Sequence, residues 1–354
     1  RYEYIFPSYH FTKYLESSLR GELSFKSSGS NKLFDTNVTE KTITNDINYR
    51  SIKNIASNGF VTNYEVLLKN FNSDSKNSKD SKNELDQNLQ SIIKYQIQYP
   101  LKKEGLNFDS ILTPIFSARF SPNKSKNIKG SDRIIDYNNI FSLNRIGSNE
   151  TVEGGQSITI GNEFKTLDKF NNEIFSLNLA TMFRDEENLD LPEKSTLNRK
   201  SSNIVGEMLF KPKKFLDLKY NFSLDNDMRT LNYNLIDATF SVNNFVTSFE
   251  FLEKNNVVGQ ESYLSNKTTF NLNDSTSLSF GTRRNKELNL NEYYNLIYEY
   301  RNDCLKAALE YKKDYYEDRD LKPMEQLFFS LTVIPLGTAN SPNLNKWLIK
   351  LKLN

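Results

Sequence analysis

In Leu216-Asp217-Leu218-Lys219-Tyr220-Asn221-Phe222-Ser223-Leu224 apolar and polar side chains alternate without a fault. Successive side chains of a β-strand point to opposite faces, so the segment has one apolar and one polar face as a strand, and no coherent face as a helix. The pattern recurs, less cleanly, in Leu19 to Lys26, Tyr95 to Tyr99, Phe175 to Phe183, Asn234 to Val242 and Leu296 to Arg301. The segments come about every 20 residues, the spacing of strands of roughly 9–11 residues joined alternately by short turns and longer loops, and this predicts about 16 to 18 strands. Helical signals are nearly absent.

Composition narrows the class. Only 37% of residues are hydrophobic, yet there are 25 Phe and 19 Tyr, and a disordered chain is poor in aromatics. A barrel with one wall face in lipid and the other in water satisfies both facts. A soluble β-sandwich also alternates, but with shorter strands and more Val and Ile. Here the apolar face is Phe, Tyr and Leu, and aromatic pairs such as Tyr293-Tyr294, Tyr315-Tyr316 and Phe328-Phe329 fit the girdles at membrane interfaces. No run approaches the roughly 18 apolar residues of a membrane helix. The expected fold is therefore all-β, an antiparallel transmembrane β-barrel.

Other classes find little support. A net charge of +2, with basic and acidic residues interspersed, gives no case for nucleic acid. One Cys (Cys304) and one His (His10) exclude a His/Cys metal cluster, and no cofactor is expected. His10 beside Tyr9 and Phe11 reads as a lumenal or interfacial side chain, so the reading is not an enzyme. Glu186-Glu187 and Asp318-Asp320 read as solvated loop charge, and Gly154-Gly155 as a turn before a strand from Ser157 to Phe164. The opening Arg1-Tyr2-Glu3-Tyr4 has no secretory apolar core, so the expectation is a mature sequence or a fragment. Asn72 to Asn88, Ser121 to Asn138 and Arg184 to Ser202 read as long loops. Asp225-Asn226-Asp227, Asn243-Asn244 and Asn273-Asp274 read as tight turns.

A set of local motifs carries more. Thr113-Pro114-Ile115 precedes the first of these loops but one. Phe141-Ser142-Leu143-Asn144-Arg145-Ile146-Gly147 and then Glu153-Gly154-Gly155-Gln156 have the form of a strand, a tight loop and a returning strand, and Leu191-Pro192 follows. Later come Asn302-Asp303-Cys304-Leu305, Leu309-Glu310-Tyr311, Asp318-Arg319-Asp320-Leu321 and Pro323. The last clear strand, Gln326 to Ile334, ends at Pro335-Leu336-Gly337. In this order the pieces resemble the C-terminal barrel region of the LptD family of lipopolysaccharide-assembly proteins, most closely from Ile111 to Gly337.

The resemblance implies a bacterial outer-membrane component that receives lipopolysaccharide from a periplasmic bridge protein and inserts it into the outer leaflet. It also implies a lipoprotein plug inside the barrel and a periplasmic jelly-roll domain before it. Residues 1–337 would be barrel, with its first strands and the jelly-roll absent, and 338–354 a C-terminal tail. Cys304 matches a position where many relatives carry adjacent cysteines bridged to the jelly-roll domain; Asp303 stands at the neighbouring place, leaving one candidate interdomain disulfide. Lateral exit in the family lies where first and last strands meet, which assigns Gln326, Phe328, Ser330, Thr332 and Ile334 to the seam.

Alternation and resemblance meet in the strand faces. If Leu216, Leu218, Tyr220, Phe222 and Leu224 face lipid, then Lys219 and Asn221 face a wet lumen, as do Asn178, Arg145 and Arg301 in their own segments. These five are the candidate substrate path, the cations as phosphate partners, although lumenal Lys and Arg also serve for solvation alone. Pattern alone supports a passive diffusion porin equally, and leaves open a surface receptor barrel acting through its loops.

Overall fold

The computed structural model describes residues 3–34, 37–78, 84–315, 322–334 and 337–340. Asp318 and Asp320, Pro335 and Leu336 of the expected strand end, and residues 341–354 of the expected tail lie outside them. Among the described residues there are 20 strands, three of them short (Asn54–Ile55, Leu101–Glu104 and Gly337–Asn340), which leaves 17 of full length, within the expected range. Helix is confined to the single turn Tyr137–Ile140 and two three-residue 3-10 turns. No helix is long and apolar enough to cross a membrane. Every pairing detailed below is antiparallel, so the fold is the all-β antiparallel class that alternation predicts.

The chain divides into two compact units, Arg1–Asn171 with Leu177–Glu207 and Ser223–Thr230, and Asn172–Ser176 with Met208–Phe222 and Leu231–Asn354. In the first, Glu3–Leu15, Gly21–Phe34, Val38–Ser51, Val61–Lys76, Asp86–Gln98, Phe108–Ser121 and Gly155–Asp168 pair in sequence order. Their faces separate cleanly. In Val61–Lys76 the odd-numbered Glu65, Leu67, Lys69, Phe71, Ser73 and Ser75 are buried, while Tyr64 and Leu68 are exposed. Exposed Ile47, Ile93, Phe116, Phe120, Ile158 and Ile160 belong to that same outward face. An exposed apolar face behind a buried polar one is the wall of a membrane barrel.

These strands run to 16 residues, longer than the roughly 9–11 that span a bilayer. Their surplus lies at the loop end, where the outward face turns polar. There Ser27 Oγ donates to Asn45 Oδ1 at 2.7 Å, Asn45 Nδ2 to Asn70 Oδ1 at 3.3 Å and Asn72 Nδ2 to Asn70 Oδ1 at 2.6 Å. The run Asn72 to Asn88, expected as a loop, is therefore strand through Lys76 and again from Asp86. Its Ser and Asn side chains read as linker, but Ser73 and Ser75 lie in a buried inner row and Asn72 in this outer hydrogen-bonded ladder.

In the second unit, Leu231–Val242, Phe245–Lys254, Glu261–Asn273, Thr276–Asn285, Leu290–Arg301, Leu305–Asp314 and Met324–Val333 pair in order. One cross-strand row runs Phe270, Leu278, Tyr298, Leu309, Phe329, all exposed. On the opposite face Thr239, Ser248, Lys267, Gly281, Asn295, Lys312 and Gln326 stand side by side. Leu216–Leu224 has the bounds read from alternation. Met324–Val333 carries a further strand, Gly337–Asn340, against Ser330 to Val333, so the last described strand lies past the segment expected to end the sheet.

Candidate functional site

The inner wall of the first unit is built in rows. Arg50, Glu65, Lys94, Arg119 and Ser157 stand opposite one another on five neighbouring strands, and Lys26, Asp46, Lys69 and Gln90 form a parallel row. Between them runs an apolar pair, Leu67 and Ile92. Directly opposed side chains on one face lie close enough to interact, and here they make ion pairs: Lys94 Nζ to Glu65 Oε1 at 2.9 Å and Lys69 Nζ to Asp46 at 2.9 Å. Lys94 and Lys69 are 3% and 1% exposed, so both charges have been taken out of water.

What covers them is the connection from Pro122 to Gly154. Leu143 and Val152 pack on Leu67 and Ile92, and the flanking charged rows donate to the connection's backbone. Lys94 Nζ reaches Phe141 O at 2.7 Å, Lys69 Nζ reaches Asn149 O at 3.1 Å, and Arg119 reaches the carbonyls of Leu143 and Ser142. Gln90 closes the series, its amide donating to Lys124 O and its oxygen accepting from Val152 N. The segment Phe141 to Gly147, expected as a strand, is instead a folded inward loop. Asp136 and Asn139 make a reciprocal capping box around the turn Tyr137–Ile140, and Gly147 sits at φ +67°, where a glycine is favoured. Phe141 fits because Gly161 lies beneath it; a Cβ there would meet the ring at 2.6 Å.

A second loop, between Glu173–Arg184 and Ile204–Lys213, completes the seal. Leu191 and Leu197 from it join Ile135, Ile140 and Ile146 from the first loop against Ala180, Met182 and Val205 of the wall. At the centre, Glu153 accepts from both Arg145 and Arg184, and Arg145 also donates to Thr159 Oγ1 at 3.0 Å and Ser157 Oγ at 2.8 Å. Burial alone pushes the Glu153 carboxyl up, but Arg145, Arg119 and Arg184 outweigh it and hold the pKa at about 2. Three guanidiniums thus share one carboxylate. Below the loop a chamber of about 650 Å³ remains, lined by Glu22, Lys26, Arg50 and Lys53 of the wall and Asn144 of the loop. The second unit has a smaller polar hollow of about 360 Å³ over Asp237, Glu250 and Lys267.

The candidate residues are placed as follows. Arg145 is fully buried and engaged as a keystone of the seal, which leaves it no surface for a phosphate. Asn178 shares its strand face with Ala180 and Met182 and reaches Glu207, which also accepts from Asn138 of the loop. Lys219 is exposed and acts electrostatically on Asp237; Asn221 keeps its side-chain oxygen buried on the same face. Arg301 is exposed at a strand end beside Asp274 and Asn302. Gln326, Phe328, Ser330 and Thr332 lie opposite Lys312, Glu310, Ala308 and Lys306, and Ile334 is one residue past the strand. Cys304 is an exposed free thiol in a turn whose Asn302 side chain accepts from the Cys304 and Leu305 amides.

The sequence reading missed Glu153, Arg184, Arg119, Lys94, Lys69 and Gln90. The two lysines carried a signal, since each interrupts an apolar run, Lys69 after Val66-Leu67-Leu68 and Lys94 after Ile92-Ile93. A family model described as LPS transport system D matches residues 5–266 of the 354. No curated protein matches the chain.

Proposed function

The chain belongs to the LptD family, LPS transport system D, and on that premise we propose that it is the membrane-embedded translocon that inserts lipopolysaccharide into the outer leaflet. The family carries lipopolysaccharide to the outer membrane. One observation carries it. The polar inner wall of the first unit is covered by its own two loops, the first held through backbone carbonyls by wall cations and the second by apolar packing. A passive porin needs an open lumen. A delivery device needs one that stays shut until a substrate with both phosphates and sugars displaces those contacts.

In this reading Lys26, Arg50 and Lys53 meet the substrate below the seal, and Asn178, Lys219, Asn221 and Arg301 face its path. Gln326, Phe328, Ser330, Thr332 and Ile334 contribute to the lateral seam. The partners are those of the family: a lipoprotein plug in the barrel and a periplasmic bridge protein. Cys304 forms one disulfide to the family's periplasmic domain, which its exposure and its place in a short turn support. Depletion of the protein in cells tests the function. Newly made lipopolysaccharide should then accumulate on the periplasmic side, whereas undiminished surface delivery with reduced uptake of small solutes would favour the porin.

A further inference from the structure

Gly281 stands in mid-strand on the polar face of the second unit, directly between Lys267 and Asn295 on the neighbouring strands. A glycine inside a strand weakens it, and often marks a place where a ligand comes close to the backbone. Here it floors the polar hollow of about 360 Å³. Packing within the protein does not require a glycine. A Cβ there would stand 3.8 Å from Asn295 Cβ and 3.9 Å from Asn266 O, which are ordinary contact distances.

The lining is rich in acceptors. Asp237 and Glu250 face each other directly on neighbouring strands, and neither holds an ion pair among the described residues. Like charges placed opposite one another are destabilising, and a ligand that donates to both relieves them. Tyr263 Oη donates to Glu250 Oε1 at 2.8 Å, which holds that carboxylate in place. Asn295 gives its amide to Glu310 Oε1 at 2.8 Å and keeps a buried oxygen without a partner. Beside these acceptors stand the exposed Lys267 and the hydroxyls of Ser265 and Ser279. A hydroxyl both donates and accepts, so a sugar ring meets every group of this set. A phosphate would meet two carboxylates. An apolar chain would leave the acceptors unpaired, which is the stronger ground for rejection.

We infer that the hollow is a saccharide subsite selective for uncharged sugar. A neutral hexose unit lies over Gly281, its hydroxyls donating to Asp237, Glu250 and Asn295 and accepting from Lys267. The inference rests on the delivery reading and deepens it by separating two parts of the substrate. Phosphates go to the chamber of the first unit with its Lys26, Arg50 and Lys53, and neutral sugars go to this hollow.

The test uses the full-length protein in detergent micelles, where both ends are open to solution. The probes are maltotriose bearing a photoactivatable diazirine and the same molecule with a phosphate on its terminal glucose. Adducts are mapped by mass spectrometry on the strands that carry Gly281 and Asn295. The neutral probe should label them about tenfold more than the phosphorylated one. Gly281→Leu should remove that labelling, with Gly281→Val as the milder filling if the larger one misfolds. Asp237→Asn with Glu250→Gln should equalise the two probes. Equal labelling by both probes in the unaltered protein, or labelling that survives both fillings, would overturn the subsite. Saccharide adducts missing from a protein that still gives lipopolysaccharide adducts from Asn178 in cells would overturn the subsite and leave delivery standing. Loss of both kinds of adduct would overturn both.

Discussion

Glu153 is the residue on which the seal turns. It is 1% exposed and is the acceptor shared by Arg145 and Arg184, with Arg119 close by. Removing one partner of a buried ion pair strands the others without water, and typically costs about 3–5 kcal/mol. Glu153→Gln is therefore expected to lower unfolding stability by about that amount, and to raise ion conductance through the reconstituted protein. A variant with unchanged stability and conductance would remove Glu153 from this role. The same group sets a pH window. Its folded pKa, about 2, lies below the ordinary 4.5, so its contribution is fully present above 4.5 and is lost as pH falls toward 2. Conductance should accordingly be flat from neutral pH to about 5 and rise below about 4. Glu153→Gln should abolish that rise.

At the scale of the strand, the account rests on which face meets lipid. Ser248 and Phe249 are sequence neighbours on opposite faces, one beside Thr239 and Lys267, the other exposed beside Ala238 and Asn266. Arg on the lipid face near the bilayer midplane costs roughly 2–4 kcal/mol, while a lumenal substitution costs little. Phe249→Arg should therefore weaken refolding into vesicles by about that amount and Ser248→Arg should not; the reverse order would invert the wall. This much was legible in the sequence, because a period of two is local and survives without knowledge of any partner. The loop from Pro122 to Gly154 was not. Phe141, Leu143 and Arg145 alternate with polar residues as a strand would, yet each takes its place from a distant group: Gly161 under Phe141, Leu67 and Ile92 under Leu143, Glu153 against Arg145. The local capping pair Asp136 and Asn139, which encloses the turn Tyr137–Ile140, was not read as a helix signal. Arg145 was read as an open lumenal cation, because its partner eight residues on becomes visible only once the loop is folded.

For the whole molecule, the family match covers residues 5–266, which takes in the first unit with its seal and the opening strands of the second, while Cys304 and the seam strand lie beyond it. Within the second unit the connection that holds Cys304 is on the same end as the two-residue turns Asn243–Asn244 and Asp274–Ser275. The opposite end carries the longer Asn255–Gln260 and Lys286–Asn289. Membrane barrels place short turns in the periplasm, the compartment in which a disulfide forms. Mass spectrometry of the unreduced full-length protein should thus find Cys304 bridged, and a free thiol there would end that proposal.

The central claim, that lipopolysaccharide passes along this polar wall, is tested most directly by photocrosslinking in cells from Asn178 and Lys219 of the full-length protein. The account predicts lipopolysaccharide adducts at both positions that vanish when the periplasmic bridge is depleted. A folded protein that yields no adducts while small solutes pass freely through it in liposomes would contradict it.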